Sequence, residues 1–172
     1  NVSVGASLDA SGARAELIRK GANWKQTVEN RQRMIKEVPH VDFYVSSTIS
    51  AMNVLHVLDF HKEWTELGLI EAKDWNINIC QSPDWYRPDI FSQEFKDQVI
   101  TPAYEKHISW LDPKDGLRRA TVGFTSVLKL IQSHDNYSQW PEFENQVAKL
   151  DTIRNENFWD TFPEYKELNG TS

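Results

Sequence analysis

The sequence predicts an α/β chain: a parallel βαβαβ unit over residues 1–82, followed by a mostly α-helical extension over residues 83–172. Three observations lead there. Two segments alternate polar and apolar residues with period two, the mark of a strand. Long segments of helical periodicity separate the strands, and connections of that length through helices imply parallel pairing with right-handed crossovers. After residue 82 the strand signals stop and apolar residues recur at helical spacings.

The first strand covers about residues 2–8, where Val2, Val4, Ala6 and Leu8 alternate with Ser3, Gly5 and Ser7. Asp9, Ala10, Ser11 and Gly12 form a turn. A short helix from Arg14 to Lys20 follows, stopped by Gly21. From Asn23 a second helix carries Trp24, Val28, Arg31, Ile35 and Val38 on one stripe, and Pro39 closes it. The second strand covers residues 41–49, with Val41, Phe43, Val45, Ser47 and Ile49 on one face and Asp42, Tyr44, Ser46 and Thr48 on the other. Asn53 reads as the N-cap of a helix whose inward positions are Val54, Val57, Leu58, His61, Trp64 and Leu67, with Gly68 as its terminal glycine. Trp75, Ile77 and Ile79 mark a third strand over residues 75–80.

In the extension, Ser92 caps a helix that Pro102 breaks or bends. A further helix spans Asp115 to His134, with Leu117, Val122, Phe124, Val127, Leu128 and Ile131 inward. Pro141 opens another, running through Val147, Leu150 and Ile153. The aromatic stretch from Phe158 to Leu168 folds back onto the body, and the tail 169–172 is loose.

Composition narrows the function classes. With 40% hydrophobic residues and 20.0 kDa of chain, including seven tryptophans, a packed core is expected. A net charge of −6 argues against general nucleic-acid coating. No run approaches the ~20 apolar residues of a membrane span, and no secretory signal is visible, so a cytoplasmic location is expected and the sequons at Asn1, Asn136 and Asn169 are expected to be unmodified. The sole cysteine, Cys80, excludes an internal disulfide and a cysteine-held metal cluster within this chain. The chain starts at Asn1 rather than Met, so a processed product, a cloned fragment or an incompletely sequenced gene is expected.

Ligands of parallel α/β folds sit beyond the carboxyl ends of the strands. Ser7 and Asp9 there suit hydroxyl groups, and Arg19 suits a carboxylate through its planar fork. The competing reading makes Asp9 and Ser11 turn residues and Arg19 a surface charge. Cys80 reads as a small buried hydrophobe. His56 and His61 are five apart on one helix and do not align for a shared metal, and His40, His107 and His134 are scattered. Trp85 and Tyr86, with Arg87, either stack on a base or pack against their own loop.

Taken in order, several segments resemble the radical S-adenosylmethionine proteins. Val4-Gly5-Ala6-Ser7-Leu8-Asp9-Ala10, followed by Ile18-Arg19-Lys20-Gly21, is similar to their strand ending in Ser-hydrophobic-Asp-Gly and the downstream Ile-Arg-x-Gly. Asn23-Trp24-Lys25 with Val28 and Asn30 resembles the next helix. Thr48-Ile49-Ser50-Ala51-Met52-Asn53 resembles the following strand and its closing Asn. Leu150-Asp151-Thr152-Ile153-Arg154-Asn155 and Phe162-Pro163-Glu164 resemble the helical tail of the twitch-domain branch.

The resemblance implies that residues 1–82 are the second half of a partial (β/α)6 barrel. It implies S-adenosylmethionine and a 4Fe–4S cluster as cofactors of a longer parent, whose cluster loop would lie upstream. Ser7, Asp9, Arg19 and Asn53 are then the cofactor-binding residues, with Arg19 on the cofactor carboxylate and Asp9 shaping the turn; no catalytic residue and no metal ligand is expected in this chain. Ala10 departs from the family's Gly, and the lone Cys80 cannot hold the cluster. Two alternatives stay open: a non-catalytic binding or assembly module with a degenerate half-barrel, and an unrelated domain for a nucleotide or phosphate compound. The unpaired edge of the first strand is expected to meet the missing half of the parent or a second copy. No membrane partner is expected.

Overall fold

The computed structural model describes residues 2–168. The expectations for Asn1, for the Asn169 sequon and for the tail 169–172 lie outside the described residues. The chain is mixed α/β, with one three-stranded parallel sheet and mostly helical content. The strands are β1 (Ser3–Ala6), β2 (Asp42–Ile49) and β3 (Trp75–Ile79), in the order β1-β2-β3. Gly5 pairs with Tyr44, and Ser47 with Ile77. β1 and β3 are each shorter than the alternation suggested, because Ser7 and Cys80 already lie outside the ladder.

Between the strands lie α1 (Gly12–Ile18), α2 (Trp24–Glu37) and α3 (His56–Glu66). α1 starts two residues before Arg14 and stops short of Lys20. Asn23 caps α2 through its side chain, which accepts from the Gln26 N–H at 2.9 Å. No residue of α2 is buried; its apolar stripe is only half covered.

α3 corrects one expectation. Asn53 is not its side-chain cap, for the helix begins at His56 with Leu55 in the cap position. The Asn53 carbonyl accepts from the Val57 N–H, while its side chain is committed elsewhere. Leu67 also differs: it follows the last turn and is exposed. Gly68 takes φ +68° there, and the Leu69 N–H closes back onto the Trp64 carbonyl at 2.9 Å.

The extension begins with α4 (Gln93–Phe95), a π turn (Lys96–Ile100) and α5 (Thr101–Leu111), which form one helical run. Ser92 caps it, accepting from the Phe95 N–H. Pro102 has no N–H to return to Gln98, and the helix widens just before it instead of breaking. α6 (Arg119–Ser133) starts four residues later than expected, because the Asp115 carboxylate accepts from both the N–H (2.8 Å) and the hydroxyl (3.0 Å) of Thr121. That leaves Leu117 before the helix and turns Val122 outward; both are exposed, and the inward set is Ala120, Thr121, Phe124, Val127, Leu128 and Ile131. α7 (Trp140–Arg154) buries Trp140, Phe143 and Val147 but leaves Ile153 80% exposed.

The C-terminal stretch does fold back. It forms α8 (Phe158–Thr161) and a 3₁₀ turn (Pro163–Leu168), and it buries Phe158, Phe162 and Tyr165. Arg14 of α1 holds the Thr161 carbonyl at 3.0 Å, and Arg154 holds the Leu17 carbonyl at 3.2 Å. One apolar cluster runs from Val45, Ile49 and Trp75 of the sheet through Phe60 and Trp64 to Tyr104, Phe124 and Phe143 of the extension. Aromatic pairs in preferred tilted and edge-on geometries fill it, Phe60–Trp75 at 4.9 Å among them. α6 lies close on β3: a Cβ added to Gly123 would come within 2.8 Å of the Ile77 side chain.

The two faces of the sheet differ. Val45, Ser47, Ile49 and Trp75 are buried toward the core. On the other face Ser3, Gly5 and Ser7 continue into Asp42, Tyr44, Ser46 and Thr48, then Asn76 and Asn78, and none of these residues is buried. A parallel sheet is ordinarily covered on both sides and apolar on both. At the amino end of this open face the Tyr44 ring lies over Gly5, 2.7 Å from where a Cβ would stand. Among the described residues, no helix is long and apolar enough to cross a membrane.

Candidate functional site

The carboxyl ends of β1 and β2 are tied together by one carboxylate and one amide. Asp9 accepts from the Thr48 N–H through Oδ1 at 2.8 Å. Its Oδ2 takes two nitrogens of Arg19, Nε and a terminal one, each at 2.8 Å. The pair is unequal: the Asp9 side chain is almost buried and that of Arg19 is 43% exposed. The sequence placed these two residues ten apart, and α1 brings them into contact. Arg19 is therefore not a free surface charge, yet part of its guanidinium still faces solvent.

Asn53 is fully buried and uses both ends of its amide. Its Nδ2 donates to the Asp9 carbonyl at 2.7 Å and to the Thr48 carbonyl at 3.1 Å. Its Oδ1 accepts from the Ser50 N–H at 2.8 Å. Three hydrogen bonds of one side chain thus lock the two loops that follow β1 and β2. Ser47 adds a further tie, donating from Oγ to the Leu8 carbonyl.

Ser7 stands apart. It is exposed, on the open polar face, and makes no hydrogen bond among the described residues. Ala10, where the resemblance asks for Gly, is fully buried and does not have positive φ; Gly12 takes the left-handed conformation instead, at φ +59°. The turn therefore closes without a glycine at position 10. Of the four residues singled out in the sequence, Asp9, Arg19 and Asn53 form one network, and Ser7 borders it on the solvent side.

Cys80 follows β3 at the same end of the sheet and is half-buried, not fully buried as expected of a small hydrophobe. Burial raises its thiol pKa and so disfavours the reactive thiolate, an effect that the Ser82 contact partly opposes. Trp85 and Tyr86 are half-buried; Tyr86 packs edge-on against Phe143 and its carbonyl accepts from the Ala51 N–H at 2.9 Å. The loop is held against the body by its own aromatics.

Periodicity gave no hint of two histidine contacts. His61 Nε2 meets the Ala72 carbonyl at 2.9 Å, so it carries the proton, and Nδ1 then accepts from His107 Nε2 at 3.0 Å. Burial lowers both pKa values, to about 4 for His61 and about 3 for His107. His56 sits between Ser11, whose Oγ is 3.2 Å from Nε2, and Arg14, 2.6 Å from Nδ1. Burial first, and the Arg14 charge second, lower it to about 4. Spacing along the chain hides such pairs, since His61 and His107 are 46 residues apart.

Among the described residues, no group of three or more His, Cys, Asp or Glu is placed to hold a metal ion. With one cysteine in the sequence, the three thiolates of an iron–sulfur cluster do not fit this chain. Arg19 is partly exposed beyond the carboxyl ends of β1 and β2 with its charge paired to Asp9, and exposed Ser7 follows β1 at the same end. Comparisons with protein-family models, with curated proteins and with solved structures returned no match.

Proposed function

We propose that this chain is the C-terminal part of a radical S-adenosylmethionine protein, contributing half of the cofactor and substrate cleft and inactive alone. The observation that carries the reading is the open polar sheet face, bordered at its carboxyl end by the Asp9–Arg19 pair. A parallel sheet with helices packed on one face and small polar residues on the other suits the inner wall of a partial barrel, where a ligand takes the place of a second helical layer. Ser7 and Arg19 then face the amino-acid moiety of the cofactor, Asp9 orients Arg19, and Asn53 keeps both loops in place. When bound, the cluster and cofactor supply radical chemistry; the residues here bind and orient.

Two experiments test the reading. Nuclear magnetic resonance titration with S-adenosylmethionine is expected to move signals of Ser7, Asp9, Arg19 and Thr48, weakly and without iron. Shifts confined to other surfaces would overturn it. The coding sequence upstream is expected to carry three in-frame cysteines spaced C-x3-C-x2-C, and their absence would favour the alternative of a non-catalytic binding or assembly module.

A further inference from the structure

A cleft of about 520 Å³ opens on the helical side of the molecule between α3, α5 and the C-terminal 3₁₀ turn. This volume is in the range of small-molecule sites. Its walls are apolar: Leu58 of α3, Ala103 and Trp110 of α5, and Pro163. Two exposed ammonium groups stand on its lining, Lys62 on α3 and Lys106 on α5.

The charges there do not cancel. Glu164 is neutralised by Arg14, at 2.9 Å. His56 and His107 also line the cleft and are neutral near pH 7. Lys62 has only a loose partner, Glu66 at 3.8 Å, and both side chains are about half exposed. Lys106 has no ion-pair partner among the described residues. Asp59 is the remaining acid of the lining. Two cations thus face one anion over an apolar interior.

We propose that this cleft binds an organic anion with an apolar body, such as a medium-chain carboxylate, with its head on Lys62 and Lys106 and its chain along Leu58, Trp110 and Pro163. The ammonium groups supply the donors, and the walls supply the surface that is removed from water. This site is separate from the carboxyl ends of the strands and does not depend on the proposed function.

The test is calorimetric titration of the chain with octanoate, 1-octanol and octylamine. Octanoate is expected to bind about tenfold or more tightly than octylamine, with octanol between them. Lys62→Glu and Lys106→Glu are each expected to weaken octanoate about threefold to tenfold while leaving octanol unchanged. Asp59→Asn, an exposed substitution, is expected to tighten octanoate. Octylamine binding as tightly as octanoate would overturn the proposal, as would octanoate binding that neither charge reversal alters in a variant with native circular dichroism. Failure of all three probes to bind would overturn it as well.

Discussion

Replacing Asn53 with Ala isolates the tie between the two loops. The substitution removes the donor to the Asp9 and Thr48 carbonyls and the acceptor for the Ser50 N–H, all at 3.1 Å or less. Asn53 is fully buried, so these backbone groups lose their partner in a place that water reaches poorly. Each net hydrogen bond contributes about 1 kcal/mol, and an unsatisfied buried group costs about 1–3 kcal/mol. Three such groups give a loss of about 3–5 kcal/mol once partial rehydration of the vacated space is allowed. For a chain of this size that lowers Tm by roughly 6–20 °C. Urea unfolding followed by tryptophan fluorescence measures the loss directly. Asp9→Asn serves as the contrast. It keeps an acceptor for the Thr48 N–H and loses mainly the half-exposed Arg19 ion pair, worth about 1 kcal/mol or less. If Asn53→Ala cost no more than Asp9→Asn, the amide would not be what holds the loops.

Other expectations follow from particular contacts. His61 and His107 have folded pKa values far below the usual 6.5, so the unfolded chain binds more protons than the folded one as pH falls below about 6.5. Stability from this pair is full above that pH and declines on acidification toward about 4 and then 3, by up to roughly 1.4 kcal/mol per pH unit for each histidine. Unfolding curves between pH 7 and 4 check the slope, and a flat profile would contradict it. Gly123→Ala gains about 1 kcal/mol of helix propensity but drives a Cβ into Ile77, where crowding costs about 1–3 kcal/mol. A net loss near 1 kcal/mol is expected in equilibrium unfolding, and a stabilised variant would show that α6 yields. The free edge of β1 is expected to pair with a second copy at high concentration. A monomer at all concentrations in light scattering, with rapid amide exchange at the outward-facing Ser3 and Gly5, would refute that.

Much of the fold was legible in the residues. Period-two alternation located β1 and β2, Trp75, Ile77 and Ile79 marked β3, and the cap at Ser92 was read directly, because those signals are local. Helix starts were harder. Asp115 looked like the first helical residue because the apolar pattern runs through it, whereas its side chain reaches forward to Thr121 and delays the helix to Arg119. Asn53 looked like a cap for the same reason, since nothing in the sequence says that its amide is spent across the sheet on Asp9. Asp9 and Arg19 were found by residue type and position, but their mutual contact needed α1 to form. The His61–His107 contact was invisible, because it joins helices far apart in sequence.

The pairing of Gly5 with Tyr44 has a consequence for access to the open sheet face. A residue without a side chain on β1 lets a large ring from β2 come over it. The phenol therefore screens the amino half of the face, while Ser7 and Thr48 beyond it stay uncovered. The absence of a side chain at position 5 thus sets how much of the face the phenol covers. Any larger residue there would push the ring aside and itself stand in the space the phenol now covers.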